Sequence, residues 1–267
     1  MTTTFTVKIS SAQLVGEQSG TGNPLVFLHA GVADRRMWQP QIAALQNTYR
    51  TIAYDRRGFG ETTTADEAFS HVADLQAVLD DLGIAQVSLV GCSQGGRIAI
   101  DFALAYPQQV TALVLMSSAV SGASEPETFP PDIQARIDAL DVADEADDLA
   151  QINEIEANLW LDGPSSPQGR VGAALRDLFL DMNGIALNMP DLDQEIEPPS
   201  AYERVSQLSL PTLVISGDLD FPHIKEHCHY LANTIPGAQL KTIPGAAHLP
   251  NLEQPEVINS LLRDFFS

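Results

Sequence analysis

Basic residues are scarce in this 267-residue chain, with 14 Lys and Arg against 35 Asp and Glu and a formal net charge of −21. Lysine occurs only three times, at Lys8, Lys225 and Lys241. Nucleic acids and anionic membrane surfaces would repel so acidic a protein. We therefore expect a small-molecule substrate as the partner, with no nucleic acid and no membrane, and a monomer or homodimer. The acidity fits either a salty environment or a simple gain in solubility.

Cysteine and long hydrophobic runs are also lacking. The two cysteines, Cys92 and Cys228, do not suggest a disulfide framework. No stretch approaches the roughly 18 apolar residues of a transmembrane helix. The first ten residues have neither the basic nor the apolar region of a signal peptide. These absences favour a cytoplasmic protein.

Apolar residues make up 44% of the chain, and strand-like runs alternate with helix-like stretches. This alternation predicts an α/β fold with a mainly parallel sheet flanked by helices. An antiparallel pair, 5–9 and 12–16, opens the chain. The further predicted strands are 24–29, 51–55, 87–90, 110–116, 211–216 and 238–243. The predicted helices are 36–45, 68–82, 97–106, 222–235 and 255–266, the last with Val257, Leu261 and Phe265 on one face.

The periodicity changes between residues 122 and 206, where no strand-like run occurs. Residues 122–204 hold 19 Asp and Glu against 4 Arg and no Lys, which accounts for −15 of the net charge. Apolar spacings such as Ile152, Ile155 and Leu159 favour packed amphipathic helices over solvated loops. We predict an inserted helical unit at 122–206, with residues 1–121 and 207–267 forming the core domain.

The pentapeptide 91–95, Gly-Cys-Ser-Gln-Gly, lies between a predicted strand and a predicted helix. This is the G-x-S-x-G pattern in the strand–turn–helix context that the motif requires. Such a turn forces Ser93 into a sparsely allowed backbone region and places its hydroxyl at a helix start, which favours developing negative charge. The pattern predicts Ser93 as a nucleophile.

A serine hydroxyl needs a positioned base, and the base needs an acid that orients it. Both must lie in loops at the carboxyl ends of the strands. Asp220 follows the strand 211–216, and His248 follows the strand 238–243. The order Ser93, Asp220, His248 fits a Ser-Asp-His triad.

Other residues compete for these roles. Asp218 precedes Asp220 by two positions, so an extended segment would point both the same way. His223, His227 and His229 are rivals of His248, and the first two have the i, i+4 spacing of helical metal ligands. No neighbouring carboxylate completes a metal site, so we expect no metal, and nothing in the sequence predicts a cofactor.

The chain resembles the α/β-hydrolase fold family over nearly its full length. The segments that carry the resemblance are 28–31 (Leu-His-Ala-Gly), 55–60 (Asp-Arg-Arg-Gly-Phe-Gly), 91–96 (Gly-Cys-Ser-Gln-Gly-Gly), 217–220 (Gly-Asp-Leu-Asp) and 245–248 (Gly-Ala-Ala-His). The resemblance implies an eight-stranded sheet, a helical cap at 122–206, and Ser93, His248 and Asp220 as nucleophile, general base and orienting acid. It favours Asp220 over Asp218.

The resemblance also implies an oxyanion hole made by two backbone N–H groups. One belongs to Gln94, after the nucleophile, and the other to Gly31, in the loop after the strand 24–29. Ala30 stands where relatives commonly have glycine, which leaves the second donor uncertain by one residue. We expect His29 to brace this loop.

The expected activity is that of a serine hydrolase which cleaves a small or medium carboxylic ester or lactone through an acyl-enzyme. The alternatives are a carbon–carbon bond hydrolase of the meta-cleavage type and a hydrolase-like ligand receptor. The predicted substrate pocket contains Trp160, Phe221 and Leu249, and further candidate walls are Phe179, Met182 and Met189.

Overall fold

A computed structural model describes residues 2–124 and 126–267, and these residues form an eight-stranded sheet of order β1-β2-β4-β3-β5-β6-β7-β8. The strands are β1 (Thr3–Ile9), β2 (Ala12–Ser19), β3 (Pro24–Leu28), β4 (Arg50–Tyr54), β5 (Val87–Cys92), β6 (Val110–Met116), β7 (Thr212–Gly217) and β8 (Gln239–Ile243). β2 pairs antiparallel with β1 and with β4, and every pairing from β4 to β8 is parallel. The predicted α/β class is confirmed.

Helices cover both faces of the sheet, which is why the central strands are buried runs rather than alternating ones. The core helices are α1 (Gln39–Leu45), α2 (His71–Asp81), α3 (Gln94–Ala105), α7 (Pro222–Thr234), α8 (Pro250–Glu253) and α9 (Pro255–Phe266). A short 3-10 turn, Arg35–Trp38, replaces the first part of the helix predicted at 36–45. None of the described helices is long and apolar enough to cross a membrane.

The buried face of α9 includes two residues besides the predicted ones. Ile258 and Leu262 are fully buried, whereas Val257 is 44% exposed. Leu261 and Phe265 are half-buried and pack at the edge of the core. The predicted face of Val257, Leu261 and Phe265 therefore lies at the edge of the core, next to the fully buried Ile258 and Leu262.

The chain between β6 and β7 is helical, with no strand element among its described residues. It contains α4 (Pro131–Glu145), α5 (Leu149–Glu156), a π-helical turn (Ala157–Asp162), α6 (Ala173–Leu187) and a 3-10 turn (Val205–Gln207). Apolar side chains of α4, α5 and the π-helical turn pack with two residues of the α7 region, Phe221 and Ile224. The division into a core and a separate unit at 122–206 stays a prediction.

Candidate active site

Ser93 follows the last residue of β5 and is the N-cap of α3. Its backbone has φ 53° and ψ −117°, a region that residues with side chains rarely adopt. The Ser93 N–H donates to Met116 O at 2.9 Å on the neighbouring strand, and the Ser93 C=O accepts from Gly96 and Arg97 in the first turn of α3. The strained turn therefore places the Ser93 side chain at the positive end of a helix.

Two glycines permit this turn. A Cβ atom at Gly91 would lie 2.3 Å from Gly95 O, and one at Gly95 would lie 2.1 Å from Leu28 O. Both contacts are with backbone and leave no room for a side chain. The close approach of α3 to β3 and β5 thus explains why the sequence has glycine on both sides of Ser93.

His248 and Asp220 form a buried pair at the same edge of the sheet. The His248 Nδ1 atom lies 2.9 and 3.0 Å from the two Asp220 carboxylate oxygens, and each residue is 2% exposed. Asp220 Oδ1 also accepts the Phe221 N–H at 2.7 Å, which fixes the carboxylate. A carboxylate at this position requires Nδ1 to donate, so Nε2 carries the free lone pair of a neutral imidazole.

The alternative candidates for the acid and the base lie outside the His248–Asp220 pair. Asp218 is exposed, and its carboxylate accepts the Gly245 N–H at 2.7 Å, which braces the loop before His248. His223 packs against Phe221 at 5.4 Å between ring centroids, and its ring lies 5.9 Å from that of His227 on α7. His229 is exposed on the same helix. Within residues 2–124 and 126–267, no three His, Cys, Asp or Glu side chains are grouped as metal ligands.

Backbone contacts hold the His248 loop close to Ser93. The Cys92 Sγ–H, one residue before Ser93, donates to His248 O at 3.6 Å. The end of β7 packs directly on the same loop, since a Cβ at Gly217 would lie 2.1 Å from Ala247 O. The carboxyl ends of β5, β7 and β8 therefore bring Ser93, Asp220 and His248 into one region.

Arg170 and Glu253 also hold the loop that carries His248, a contact that the sequence did not reveal. The two side chains form an ion pair, and Glu253 Oε1 accepts the Ala247 N–H at 2.7 Å. Arg170, from the helical segment, also donates to Gly245 O at 2.8 Å. Burial raises the pKa of Glu253 to about 7. The Arg170–Glu253 ion pair therefore joins the helical segment to the loop that carries His248.

Gly31 and Gln94, the candidate oxyanion-hole residues, lie next to each other. A Cβ at Gly31 would lie 3.3 Å from Gln94 Oε1. That oxygen accepts from Arg56 Nη1 at 2.8 Å, and Arg56 Nη2 donates to Ala30 O at 3.2 Å. Arg56 is 1% exposed, and burial lowers the pKa of its guanidinium to about 9. Arg56 therefore ties both candidate segments together.

His29 braces the same loop and is neutral. Its Nε2 accepts the Arg56 backbone N–H at 3.1 Å, so its Nδ1 carries the proton and donates to Ala30 O at 2.8 Å. Burial, with the nearby Arg56 charge, holds the pKa of His29 well below its usual range.

A cavity of about 310 Å³ opens at Gly31 and Gln94. One side is formed by core residues that include Arg57, Phe59 and His71. The other side comes from the helical segment and is lined by Glu156, Asn183, Ala186, Leu187, Met189, Pro190, Asp191, Leu192 and Glu195. The cavity is thus lined by both candidate oxyanion-hole residues, one of which, Gln94, follows Ser93 in the chain.

The predicted pocket residues are placed unequally around this cavity. Met189 lines it. Trp160, on the π-helical turn, is half-buried and packs against both His248 and Phe221 at 4.6 Å between centroids, with its ring tilted by 51° and 44° to theirs. The remaining four, Phe221, Leu249, Phe179 and Met182, are buried core side chains. A substrate contact by Trp160, Phe221 or Leu249 stays a prediction.

The comparisons with known proteins agree with this fold. A sequence model of the Alpha/beta hydrolase family matches residues 25–261. The chain belongs to this family, and it is an enzyme of the α/β-hydrolase type.

The relatives with similar sequences include a named carboxylesterase and a named enol-lactonase. It is 26% identical to carboxylesterase YbfK of Bacillus subtilis, over 90% of this chain and 79% of the relative. It is 26% identical to 3-oxoadipate enol-lactonase 1 of Acinetobacter baylyi, over 97% and 93%. Among solved structures, it is similar to a thermophilic esterase from Thermogutta terrifontis, with a TM-score of 0.78, 27% identity, and coverage of 100% and 98%.

Proposed function

We propose that the protein is a serine hydrolase that cleaves a carboxylic ester or lactone through an acyl-enzyme. The observation that carries the proposal is the buried His248–Asp220 pair, in a loop bonded to Cys92 and hence beside the strained Ser93 turn. The likeness to a carboxylesterase and an enol-lactonase supports this substrate class.

In the proposed reaction, the Ser93 Oγ attacks the substrate carbonyl carbon while His248 Nε2 takes the hydroxyl proton. Asp220 stabilises the resulting imidazolium through Nδ1–H. The Gly31 and Gln94 N–H groups bind the oxyanion, and the imidazolium returns its proton to the leaving alkoxide. A water molecule then attacks the acyl carbon while His248 Nε2 takes one of its protons. The imidazolium protonates the Ser93 Oγ as the acyl–Oγ bond breaks, which releases the carboxylic acid and restores Ser93.

The test combines covalent labelling with turnover. Wild type should react with a fluorophosphonate probe and hydrolyse p-nitrophenyl esters, whereas Ser93→Ala should do neither. Labelling or ester turnover that persists in Ser93→Ala would exclude Ser93 as the nucleophile.

A matched pair of variants tests the acid. Asp220→Asn removes the charge that orients His248, and we expect kcat to fall by about 10³-fold or more. Asp218→Asn removes the same charge two residues away and should change kcat by less than about threefold, because its carboxylate only braces Gly245. The opposite ranking would assign the acid to Asp218.

A further inference from the structure

The active-site cavity has an acidic wall. Among its charged lining residues, Glu195 is paired with Arg97 at 2.9 Å, and Arg57 is paired with Asp74 and Glu67, each at 2.8 Å. These charges are balanced. Two lining carboxylates remain without a cationic partner in the described chain, Glu156 and Asp191.

Glu156 is held by a neutral group only. Burial raises the pKa of Glu156, and the Asn183 Nδ2, which donates to the carboxylate at 2.6 Å, opposes this shift and fixes the side chain. Asp191 is exposed at the rim formed by the segment after α6. The cavity therefore carries an excess negative charge that is positioned by the helical segment.

A second hollow continues the acidic wall outwards. It has a volume of about 580 Å³ and shares Glu156, Ala186, Leu187, Met189 and Asp191 with the first cavity. Its other lining carboxylates are Asp141, Asp144 and Asp147, and no Lys or Arg lines it. The lining residues of each of the two adjoining hollows have a net negative charge, and together they form a path along which a charged ligand is attracted or repelled before it reaches Gly31 and Gln94.

A buried histidine is a second, independent observation that favours a polar ligand in the first cavity. His71 lines the first cavity, is 6% exposed, and its Nδ1 has no hydrogen-bond partner among residues 2–124 and 126–267. The Nε2 lies 3.7 Å from a Glu195 oxygen, which favours the tautomer with its proton on Nε2. The Nδ1 lone pair is then an unpaired buried acceptor, which calls for a hydrogen-bond donor. Burial and the charges of Arg56, Arg97 and Arg57 hold the pKa of His71 well below its usual range, so the ring is neutral.

We infer that this hydrolase selects substrates with a cationic group, so that an ester or lactone bearing an ammonium is preferred over its anionic counterpart. The inference rests on the proposed function and assigns its substrate class. Glu156 and Asp191 act as specificity-determining residues, since they face the substrate cavity without a cation of their own.

The experiment compares three p-nitrophenyl esters with acyl chains of equal length. They end in a trimethylammonium group, in its uncharged tert-butyl isostere, or in a sulfonate. A parallel series of thioesters places the same groups on the thiol part, in case the leaving group enters the cavity. We expect kcat/KM to be about tenfold higher for the cation than for the anion in at least one series, and this ratio to shrink as NaCl screens the charges.

Variants test whether the acidic wall of the cavity causes the cation-to-anion ratio of kcat/KM. The double variant Glu156→Gln, Asp191→Asn should reduce the cation-to-anion ratio at least about threefold. Asp193→Asn removes a charge from an exposed residue of the same segment outside both hollows and should leave the ratio within about twofold of wild type.

Three results would overturn the inference: a wild-type ratio below about threefold in both series, a ratio that the double variant leaves unchanged, or an equal loss in Asp193→Asn. Failure of the proposed function is distinct, because no ester would then be hydrolysed and fluorophosphonate would not label Ser93.

Discussion

At the scale of single residues, Arg56 has the most unusual position in the site. It is a buried guanidinium whose donors reach Gln94 Oε1 and Ala30 O, in the two segments that would form the oxyanion hole. Only the planar fork of arginine spans both acceptors, whereas lysine offers a single charged point. Arg56 is thus a positioning residue in the proposed mechanism.

The first prediction concerns Arg56→Lys. We expect kcat for a p-nitrophenyl ester to fall by about tenfold or more with little change in KM. The reason is that Arg56 positions the segments of the two proposed oxyanion-hole N–H groups, which bind the substrate oxygen chiefly in the transition state. Arg50→Lys is the control, since Arg50 bonds Gln18 and Leu82 away from the site. An equal loss in both variants, or a change confined to KM, would contradict the positioning role.

The second prediction concerns pH and Glu253. Burial raises the pKa of this carboxyl from 4.5 to about 7, so the folded protein binds its proton more tightly than the unfolded chain. Its contribution to stability is fully present below the unfolded pKa and is lost as pH rises through the folded one. Wild type should therefore lose more stability than Glu253→Gln between about pH 5 and pH 8 in urea unfolding.

Glu256→Gln is the matched control for this titration, because it changes an exposed glutamate three residues away. Its stability should follow the wild-type pH dependence. If Glu253→Gln also runs parallel to wild type, the Glu253 carboxyl does not titrate in that range.

At the scale of elements, the Ser93 turn depends on three glycines packed against backbone atoms or against the Ser118 side chain. Cβ atoms at Gly91 and Gly95 would collide with backbone oxygens, and one at Gly96 would lie 2.3 Å from Ser118 Oγ.

The third prediction is that Gly95→Ala lowers the free energy of unfolding by about 2 kcal/mol or more. Gly172→Ala, with nothing near its Cβ, should change it by less than about 0.5 kcal/mol. Similar losses in the two variants, measured by urea unfolding, would refute the packing argument.

The π-helical turn Ala157–Asp162 connects the helical segment with the proposed base. The ring of its Trp160 packs at a tilt against the rings of His248 and Phe221. The fourth prediction is that Trp160→Ala lowers kcat by about tenfold, since the imidazole loses the ring that confines it, while Trp160→Phe keeps most of the activity. Both kcat values are measured on folded protein, with circular dichroism as the check. Equal activity of Trp160→Ala and wild type would mean that this packing does not position His248.

Elements with strong periodicity could be predicted from the sequence, and weakly amphipathic ones could not. The buried run Val110–Met116 and the proline-initiated helix Pro255–Phe266 have the bounds that the sequence predicts. Helix α4 lacked a signal, because acidic residues lie all around it and only Ile133 and Ala143 are buried. Its existence depends on packing against α5 rather than on its own pattern.

At the scale of the whole molecule, part of the candidate site could be predicted from the sequence and part could not. Ser93, Asp220 and His248 are predictable because each follows a strand of one parallel sheet. Glu156 and Asp191 are 35 positions apart and have no shared motif; only the packing of α5 and the segment after α6 places them on one wall. Asp218 and Asp220 could not be separated by alternation, since the chain turns after β7 and exposes only Asp218.

The acidic surface has a consequence for the stability of the whole protein. The net charge of −21 is concentrated at 122–204, so the folded state brings many carboxylates together, as in the hollow lined by Asp141, Asp144 and Asp147. Self-repulsion of this kind opposes the compact state and is screened by salt. The fifth prediction is that the melting temperature rises by several degrees as NaCl is increased to about 0.5 M.

A triple variant, with asparagine at 141, 144 and 147, tests the cause of this rise. It should melt above wild type at low salt, because three repelling charges are removed, and the two melting curves should converge at about 0.5 M NaCl, where screening has already weakened that repulsion. Asparagine also suits position 147, whose φ is +53°. If the variant keeps the full salt dependence of wild type, the repulsion arises outside this hollow, and if salt lowers both melting temperatures, the attractive ion pairs outweigh the repulsion.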